Sequence, residues 1–242
     1  MSDSLPQQRV IITGASSGIG RATALAFAQR GFAVALLGRS PTRLAVVTEQ
    51  ILSQGGQAQA YTLDLTDWEQ LPQQFTAIAR DWGTPDILVN SAGMGYTNPL
   101  KDTSLQDWQK ILDTNVTSIF QTMQAVLPAM RQRGQGTIIN LLSIAATKVF
   151  PNWGAYCVSK AALMSLTKAF ALEEQAQGIR IMAISPGSVN TPIWDTETVQ
   201  ADFDRTQMLT PETVAQVIVQ AALLPPDVVI EEMTIMSNAG IL

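Results

Sequence analysis

The chain has 242 residues, 46% of them hydrophobic and 14% charged, enough to bury a full core at a size where a single α/β domain is common. It contains no histidine, which excludes Ser-His-Asp and Cys-His nucleophilic catalysis and a zinc site built from histidine and cysteine, and its one cysteine, Cys157, excludes an internal disulfide. A net charge of −5 offers no basic field for a phosphate backbone, and no apolar run approaches the ~18 residues that cross a bilayer, so a cytoplasmic protein with neither nucleic-acid nor membrane partners is expected.

Residues 1–8 are polar, carry Pro6 and lack the apolar stretch of a secretory signal; they read as a loose tail before one domain spanning 9–242. Arg9 to Thr13 reads as the first strand, followed by the turn Gly14-Ala15-Ser16-Ser17-Gly18-Ile19-Gly20 and an amphipathic helix from Arg21 to Gln29. Glycines at a strand-to-helix turn let the backbone approach a pyrophosphate and aim the helix's free N–H groups at it, although glycine also serves turns for conformational reasons alone. Further strands are expected at Ala33 to Leu37, Gln57 to Leu63, Asp86 to Asn90, Gly136 to Ser143, Ile179 to Ser185 and Val228 to Met236. Between them, Thr66 with Glu69 and Ser104 with Asp107 read as capping boxes, and Thr210-Pro211 as an N-cap with proline at the first helical position. Long helices are expected from Leu105 to Met130 and from Trp153 to Gln175. The alternation implies right-handed crossovers and a Rossmann-type, doubly wound parallel sheet of about seven strands with helices on both faces, binding its ligand outside the carboxyl ends of the strands.

Tyr156 and Lys160 lie four apart, so on a helix they share a face. A free phenol titrates near ~10, and a neighbouring ammonium favours the phenolate, which predicts a lowered tyrosine pKa and a tunable proton donor and acceptor. Ser143 closes the fifth strand at the same carboxyl edge as the glycine turn, where its hydroxyl can hold a carbonyl oxygen as charge develops on it.

These motifs together resemble the short-chain dehydrogenase/reductase family: Thr-Gly-x-x-x-Gly-x-Gly after the first strand, Asn90-Ser91-Ala92-Gly93 after the fourth, Ser143, Tyr-x-x-x-Lys, and Pro186-Gly187-Ser188-Val189-Asn190-Thr191-Pro192 after the sixth. The resemblance runs from Val10 to Thr191 and implies hydride transfer between a nicotinamide dinucleotide and a ketone, aldehyde or secondary alcohol. Ser143 and Tyr156 would hold the carbonyl oxygen, Lys160 would lower the phenol's pKa and grip the nicotinamide ribose, and Asn115 would support the relay through a water. Gly14, Ser16, Ser17, Gly18, Ile19, Gly20, Asp64, Leu65, Asn90, Ala92 and Gly93 would line the dinucleotide, with Pro186, Gly187, Val189 and Thr191 at the nicotinamide end. Where NAD-preferring relatives place an acid on the adenosine ribose, this chain has Gly38, followed by Arg39 and Ser40, which favours NADP(H) over NAD(H) because a guanidinium offers a 2′-phosphate forked donors. The plainer reading of Arg39 is a solvated loop cation.

The expected substrate walls are Met94 to Tyr96, Ala145 to Trp153 and a lid within 187–209, carrying Tyr96, Phe150, Trp153, Trp194, Phe203 and Met208. A largely apolar pocket follows. A 3-oxoacyl thioester is one substrate class; a short hydroxy acid, an aldehyde or a bulkier ketone is equally open. Gln177, where such thioester reductases resemble one another in carrying arginine, and the absence of a Gly-Gly pair in residues 230–242 weaken the thioester reading. The helix from Trp153 is apolar on several faces, which, as in the family, predicts a homodimer or homotetramer built on it and on the helix from Leu105. The competing class is a non-catalytic NADP(H)-binding sensor or scaffold of the same fold.

Overall fold

The structure, a computed structural model, describes residues 7–240, so residues 1–6 of the expected tail and the last two positions of the 230–242 segment lie outside the described residues. Gln8 already belongs to the fold, its carbonyl accepting the Ala33 N–H at 2.9 Å. Seven strands, β1 (Arg9–Thr13), β2 (Ala33–Gly38), β3 (Gln57–Thr62), β4 (Ile87–Asn90), β5 (Gly136–Leu141), β6 (Ile179–Pro186) and β7 (Glu232–Ile235), form one sheet in the order β3-β2-β1-β4-β5-β6-β7. Every pairing is parallel.

The near-continuous apolar strands are what a sheet covered on both faces demands. Alternate residues of β1 go to opposite layers. Val10 and Ile12 pack with Phe27 of α1 (Gly18–Gln29), Leu44 and Val47 of α2 (Pro41–Ser53) and Ile218 of α7 (Pro211–Ala222). Ile11 packs instead with Phe75 of α3 (Leu71–Trp82), Met123 of α5 (Ser118–Arg133) and Leu163 of α6 (Gly154–Glu174). The strand order reverses at β1, so a crevice opens between the carboxyl ends of β1 and β4 where loops leave in opposite directions.

Four boundaries differ from the sequence reading. The first helix begins at Gly18 rather than Arg21, which makes the glycine turn itself the helix's first turn. The capping box at Thr66 does not form: Asp64 accepts both the Thr66 N–H (2.9 Å) and its hydroxyl (2.8 Å), Asp67 takes the Gln70 amide at 2.7 Å, and the helix waits until Leu71-Pro72. The helix expected from Leu105 to Met130 is α4 (Leu105–Leu112), opened by Ser104, whose Oγ accepts the Asp107 N–H at 3.0 Å, then a π turn at Asp113–Thr117, then α5. The last strand starts at Glu232, not Val228, because the guanidinium of Arg180 takes the carbonyls of Ala222, Leu224, Pro225 and Val228 at 2.7–3.1 Å and holds that approach away from the ladder. Among the described residues no helix is long and apolar enough to cross a membrane.

Candidate active site

The β1–α1 turn is shaped by close backbone approach. Gly14 stands at φ +67°, and a Cβ there would lie 2.9 Å from the Ala92 Cα; a Cβ on Gly20 would collide with the Gly14 carbonyl oxygen. Across the crevice, Thr13 Oγ1 accepts the N–H groups of Ser91 and Ala92, each at 3.1 Å, stitching the end of β1 to the turn after β4. No side chain caps α1, and no acid sits in its first turn. The first N–H groups of the helix, at Gly18, Ile19 and Gly20, therefore face the carboxyl edge as a ready seat for an anion. Thr191 closes the other side, 3.2 Å from where a Gly18 Cβ would stand.

At the end of β2, Gly38 leaves space beside Ser16, whose Oγ is 3.5 Å from the position of a Gly38 Cβ, and Ser40 caps α2, its Oγ accepting the Arg43 N–H at 3.4 Å. Arg39 is exposed. Burial pushes the Asp64 carboxyl up, but the two hydrogen bonds from Thr66 and the charge of Arg39 outweigh it and leave Asp64 below its ordinary value. Arg39 and Asp64 thus face the same corner, with Leu65 half-buried beside them.

Ser143 follows β5 in extended conformation and caps a short 3₁₀ turn, its Oγ accepting the Ala145 N–H at 3.1 Å. Tyr156 and Lys160 face it from the first turns of α6, with Lys160 Nζ 5.8 Å from the centroid of the phenol ring. Lys160 is buried and donates to the Leu141 carbonyl at 3.1 Å, and Nζ lies 3.7 Å from where a Cβ on Gly93 would be, which places it beside the β1–β4 crevice. The sequence reading expected the ammonium to bring the phenol's pKa down. The free protein does the reverse: burial pushes Tyr156 up to about 12, against the lowering effect of the Ser143 hydroxyl and with Cys157 adding to the rise, while burial brings Lys160 down to about 8.

Asn115 sits fully buried in the π turn, a wide turn of the kind often found where a helix serves a site. Its Nδ2 donates to the Met94 carbonyl and to Ser159 Oγ, both at 3.0 Å, and its Oδ1 accepts the Met94 N–H at 2.8 Å. Both amide donors are spent on holding the 92–96 segment against α6, so the side chain's visible work is positioning rather than donation to a water. Asn90 is similarly engaged below the sheet. Thr122 Oγ1 donates to Asn90 Oδ1 (2.9 Å), Asn90 Nδ2 to Asn140 Oδ1 (2.9 Å), and Asn140 Nδ2 to Thr167 Oγ1 (3.0 Å), a buried chain from α5 through β4 and β5 to α6. Asn90 was expected to line the dinucleotide; its side chain is committed to this chain, and only its main chain is left for the crevice.

The segment 187–209 leaves β6, crosses the site and returns. Its base is closed by Asn190 N–H to the Leu209 carbonyl (2.9 Å) and Leu209 N–H to the Ser188 carbonyl (3.0 Å); its far end is tied to the 95–97 segment by Thr198 Oγ1 to the Gly95 carbonyl (2.8 Å) and Gln200 N–H to Thr97 Oγ1 (2.7 Å). Val189 is buried in the core, and its carbonyl accepts Trp194 Nε1 at 2.7 Å. Four half-buried rings then stand edge to face in sequence: Tyr156 to Trp153 at 5.4 Å, Trp153 to Trp194 at 5.8 Å, and Trp194 to Phe203 at 5.4 Å between centroids. Tyr96, named with them as a wall, is not among them: it is buried against Ile111 and Ala155 and its hydroxyl lies 3.3 Å from Asp107. Phe150 lies in a separate groove of about 680 Å³ with Cys157, Val158 and Ala161, a face of α6 turned away from Tyr156 and Lys160.

Thr13, Ser159, Thr122, Asn140 and Thr167 were missed by sequence reasoning. The signal for Asn140 was present, since a polar side chain inside Thr137-Ile-Ile-Asn-Leu-Leu142 must find a buried partner, but the partner's identity depends on the sheet order.

This arrangement of a glycine turn at a switch point, with serine, tyrosine and lysine at the same edge, defines a dinucleotide-fold oxidoreductase, and the comparisons with known proteins agree. The short chain dehydrogenase family model matches residues 8–202, and the chain belongs to that family. It is 34% identical to an uncharacterized oxidoreductase of Staphylococcus saprophyticus over 96% of this chain and 97% of that protein. It is 35% identical to gluconate 5-dehydrogenase of Gluconobacter oxydans over 88% and 82%. Among solved structures, an alcohol dehydrogenase from the archaeon Thermococcus sibiricus complexed with 5-hydroxy-NADP superposes with a TM-score of 0.88, at 27% identity over 96% of this chain and 97% of that one.

Proposed function

We propose that the protein is an NADP(H)-dependent oxidoreductase that interconverts a ketone or aldehyde with the corresponding alcohol, using Ser143, Tyr156 and Lys160, with Asn115 as a positioning residue. The observation that carries this reading is the meeting of Ser143, Tyr156 and Lys160 beside the β1–β4 crevice, with Lys160 Nζ 3.7 Å from where a Cβ on Gly93 would stand and the uncapped end of α1 at the same edge of the sheet. The residues present fit a dinucleotide: a cradle that a Cβ at Gly14 or Gly20 would fill, a helix N-terminus free of acid, and at the end of β2 a glycine and an arginine in place of a carboxylate. The alcohol dehydrogenase of Thermococcus sibiricus, which holds an NADP derivative, supports the choice of NADP(H), with NAD(H) as the weaker alternative.

When bound, the nicotinamide supplies or receives the hydride. The chain's own residues do the rest. Ser143 Oγ donates to the carbonyl oxygen and Tyr156 presents its phenol to the same atom, giving up its proton as that oxygen gains charge. With a phenol at about 12, the resting protein holds Tyr156 protonated throughout the neutral range, the form that reduction calls on. Lys160, fixed by the Leu141 carbonyl, keeps two further N–H donors for the crevice. Oxidation of an alcohol needs the phenolate, so its rate is expected to climb with pH while reduction does not.

The test is Tyr156→Phe, which keeps the ring and its contact with Trp153. Turnover of carbonyl compounds should fall by roughly 10²–10⁴-fold, while NADPH binding, read from nicotinamide fluorescence, stays within a few-fold of the parent. Undiminished turnover overturns the assignment; NADPH binding without oxidation by any carbonyl in the parent protein makes it a dinucleotide sensor instead. The same reading includes a cytoplasmic homodimer or homotetramer packed through α5 and α6, where Val158 and Leu172 stand exposed. Light scattering at micromolar concentration reads the oligomer directly.

A further inference from the structure

Resting on the carbonyl reduction proposed above, we infer that the substrate is an uncharged aromatic ketone or aldehyde, seated against the rank of rings that runs from Tyr156 through Trp153 and Trp194 to Phe203. Three observations point the same way. First, the rank begins at the proton donor itself: Trp153 stands one helical turn before Tyr156 and meets its ring at 5.4 Å, so a molecule whose carbonyl reaches the phenol must run along Trp153. Second, the rings keep part of their surface open although each is already packed against its neighbour, and Trp194 is fixed in orientation by its hydrogen bond to the Val189 carbonyl. Such a wall adds an edge or a face to a further ring without ordering any flexible side chain, which is the arrangement in which aromatic pairs contribute beyond their area.

Third, the lid that carries the wall is predominantly acidic. From Gly187 to Asp204 the lid contains Asp195, Glu197, Asp202 and Asp204 and no lysine or arginine. Arg205, which follows, is engaged by Asp195 at 2.7 Å. Lys148 belongs to the groove on the other face of α6, and Lys160 is buried beside Gly93 and bonded to Leu141. A substrate carboxylate or phosphate brought to the lid would therefore meet acids, with Arg205 already paired and Lys160 set back in the crevice, and would leave water without a partner there. This argues against short hydroxy acids, and against thioesters carried on a phosphorylated arm, on grounds independent of Gln177.

The experiment uses the full chain and reads binding and turnover separately. Acetophenone, cyclohexyl methyl ketone and 4-acetylbenzoate are all methyl ketones on a six-membered ring and differ in aromaticity, with the conjugation it brings, and in charge. Their affinities for the NADP⁺-loaded protein, which cannot reduce them, are measured by isothermal titration, and their kcat/KM values with NADPH by absorbance. Acetophenone is expected to bind at least about threefold tighter than the cyclohexyl analogue, the lower range for an aromatic pair, and at least about tenfold tighter than 4-acetylbenzoate. Trp194→Ala should collapse the ratio of acetophenone to cyclohexyl methyl ketone towards one, and Trp194→Phe should retain most of it, a pattern that mere loss of stability does not produce. Equal or tighter binding of 4-acetylbenzoate, a ratio unmoved by Trp194→Ala, or no binding of acetophenone overturns the inference. Reduction of other carbonyls alongside that result leaves the enzyme assignment standing, whereas aromatic binding with no turnover of anything removes the assignment and keeps the wall.

Discussion

The two sides of the crevice are built from different material. On the β1–β4 side the shape is set by main chain: Gly14 against Ala92, Gly20 against Gly14, and two N–H groups gathered by Thr13. On the lid side it is set by side chains: three rings beside Tyr156, a run of acids, and threonine hydroxyls that tie 198–200 to 95–97. A wall of backbone recognises what every dinucleotide shares, and it tolerates almost no substitution. A wall of rings, on the inference drawn above, would recognise one class of molecule. On the proposed function, the difference teaches that cofactor and substrate specificity would be stored in separable parts of this chain.

The harshest way to break that contrast is Gly14→Val, which sets a branched side chain at positive φ and drives it into Ala92. Loss of measurable NADPH binding is expected, with destabilisation of about 3 kcal/mol or more, by fluorescence titration and urea unfolding; a variant that still binds NADPH would show the backbone wall to be dispensable. Next in size is Lys160, which stands between the two sides. Burial holds its folded pKa at about 8 against an ordinary 10.5, so between those values the unfolded chain binds more protons and stability rises with pH; below about 8 the penalty is present in full. Compared with Lys160→Met, the parent should therefore gain about 2 kcal/mol between pH 8 and 10, read from urea midpoints. Tyr156, held at about 12, acts in the opposite sense only above its ordinary value of 10.0.

Smaller effects sharpen the contrast. Thr13→Val keeps the shape but strips the acceptor from two N–H groups, which is expected to cost about 2 kcal/mol of stability and to weaken NADPH binding about tenfold. Thr198→Val removes one tie at the lid's far end, is expected to cost about 1 kcal/mol or less, and should raise KM for the ketone while moving the NADPH dissociation constant by less than twofold. An equal effect of both threonines on NADPH would erase the distinction between the walls.

Much of the backbone wall was legible in the residues. Its strands are short and apolar and its glycines stand at a strand-to-helix turn, because period and punctuation are local properties, while Ser143, Tyr156 and Lys160 stood out through their joint resemblance to the family's pattern. What was not legible depends on the assembled sheet. The π turn around Asn115 cannot be told from a continuous helix by its apolar pattern. Asn90 and Asn140 become partners only because β4 lies beside β5, and Tyr96 turns away from the site because Asp107 and Ile111 reach it from α4. The direction of the tyrosine's pKa shift was read from charge alone, and burial, which no spacing reveals, reversed it.

The buried run Thr122–Asn90–Asn140–Thr167 carries one more consequence. Apolar contacts have no preferred direction, so the interior beneath β4 and β5 would accept α6 at many rotations and offsets. The directed bond from Asn140, itself held by Asn90 of the neighbouring strand, to Thr167 accepts one, and Thr167 lies two turns along the same helix from Lys160. The ladder acts as an index mark: it pins the angular setting of α6, and with it Tyr156 and Lys160, to the sheet in a way the surrounding valines, leucines and methionines cannot.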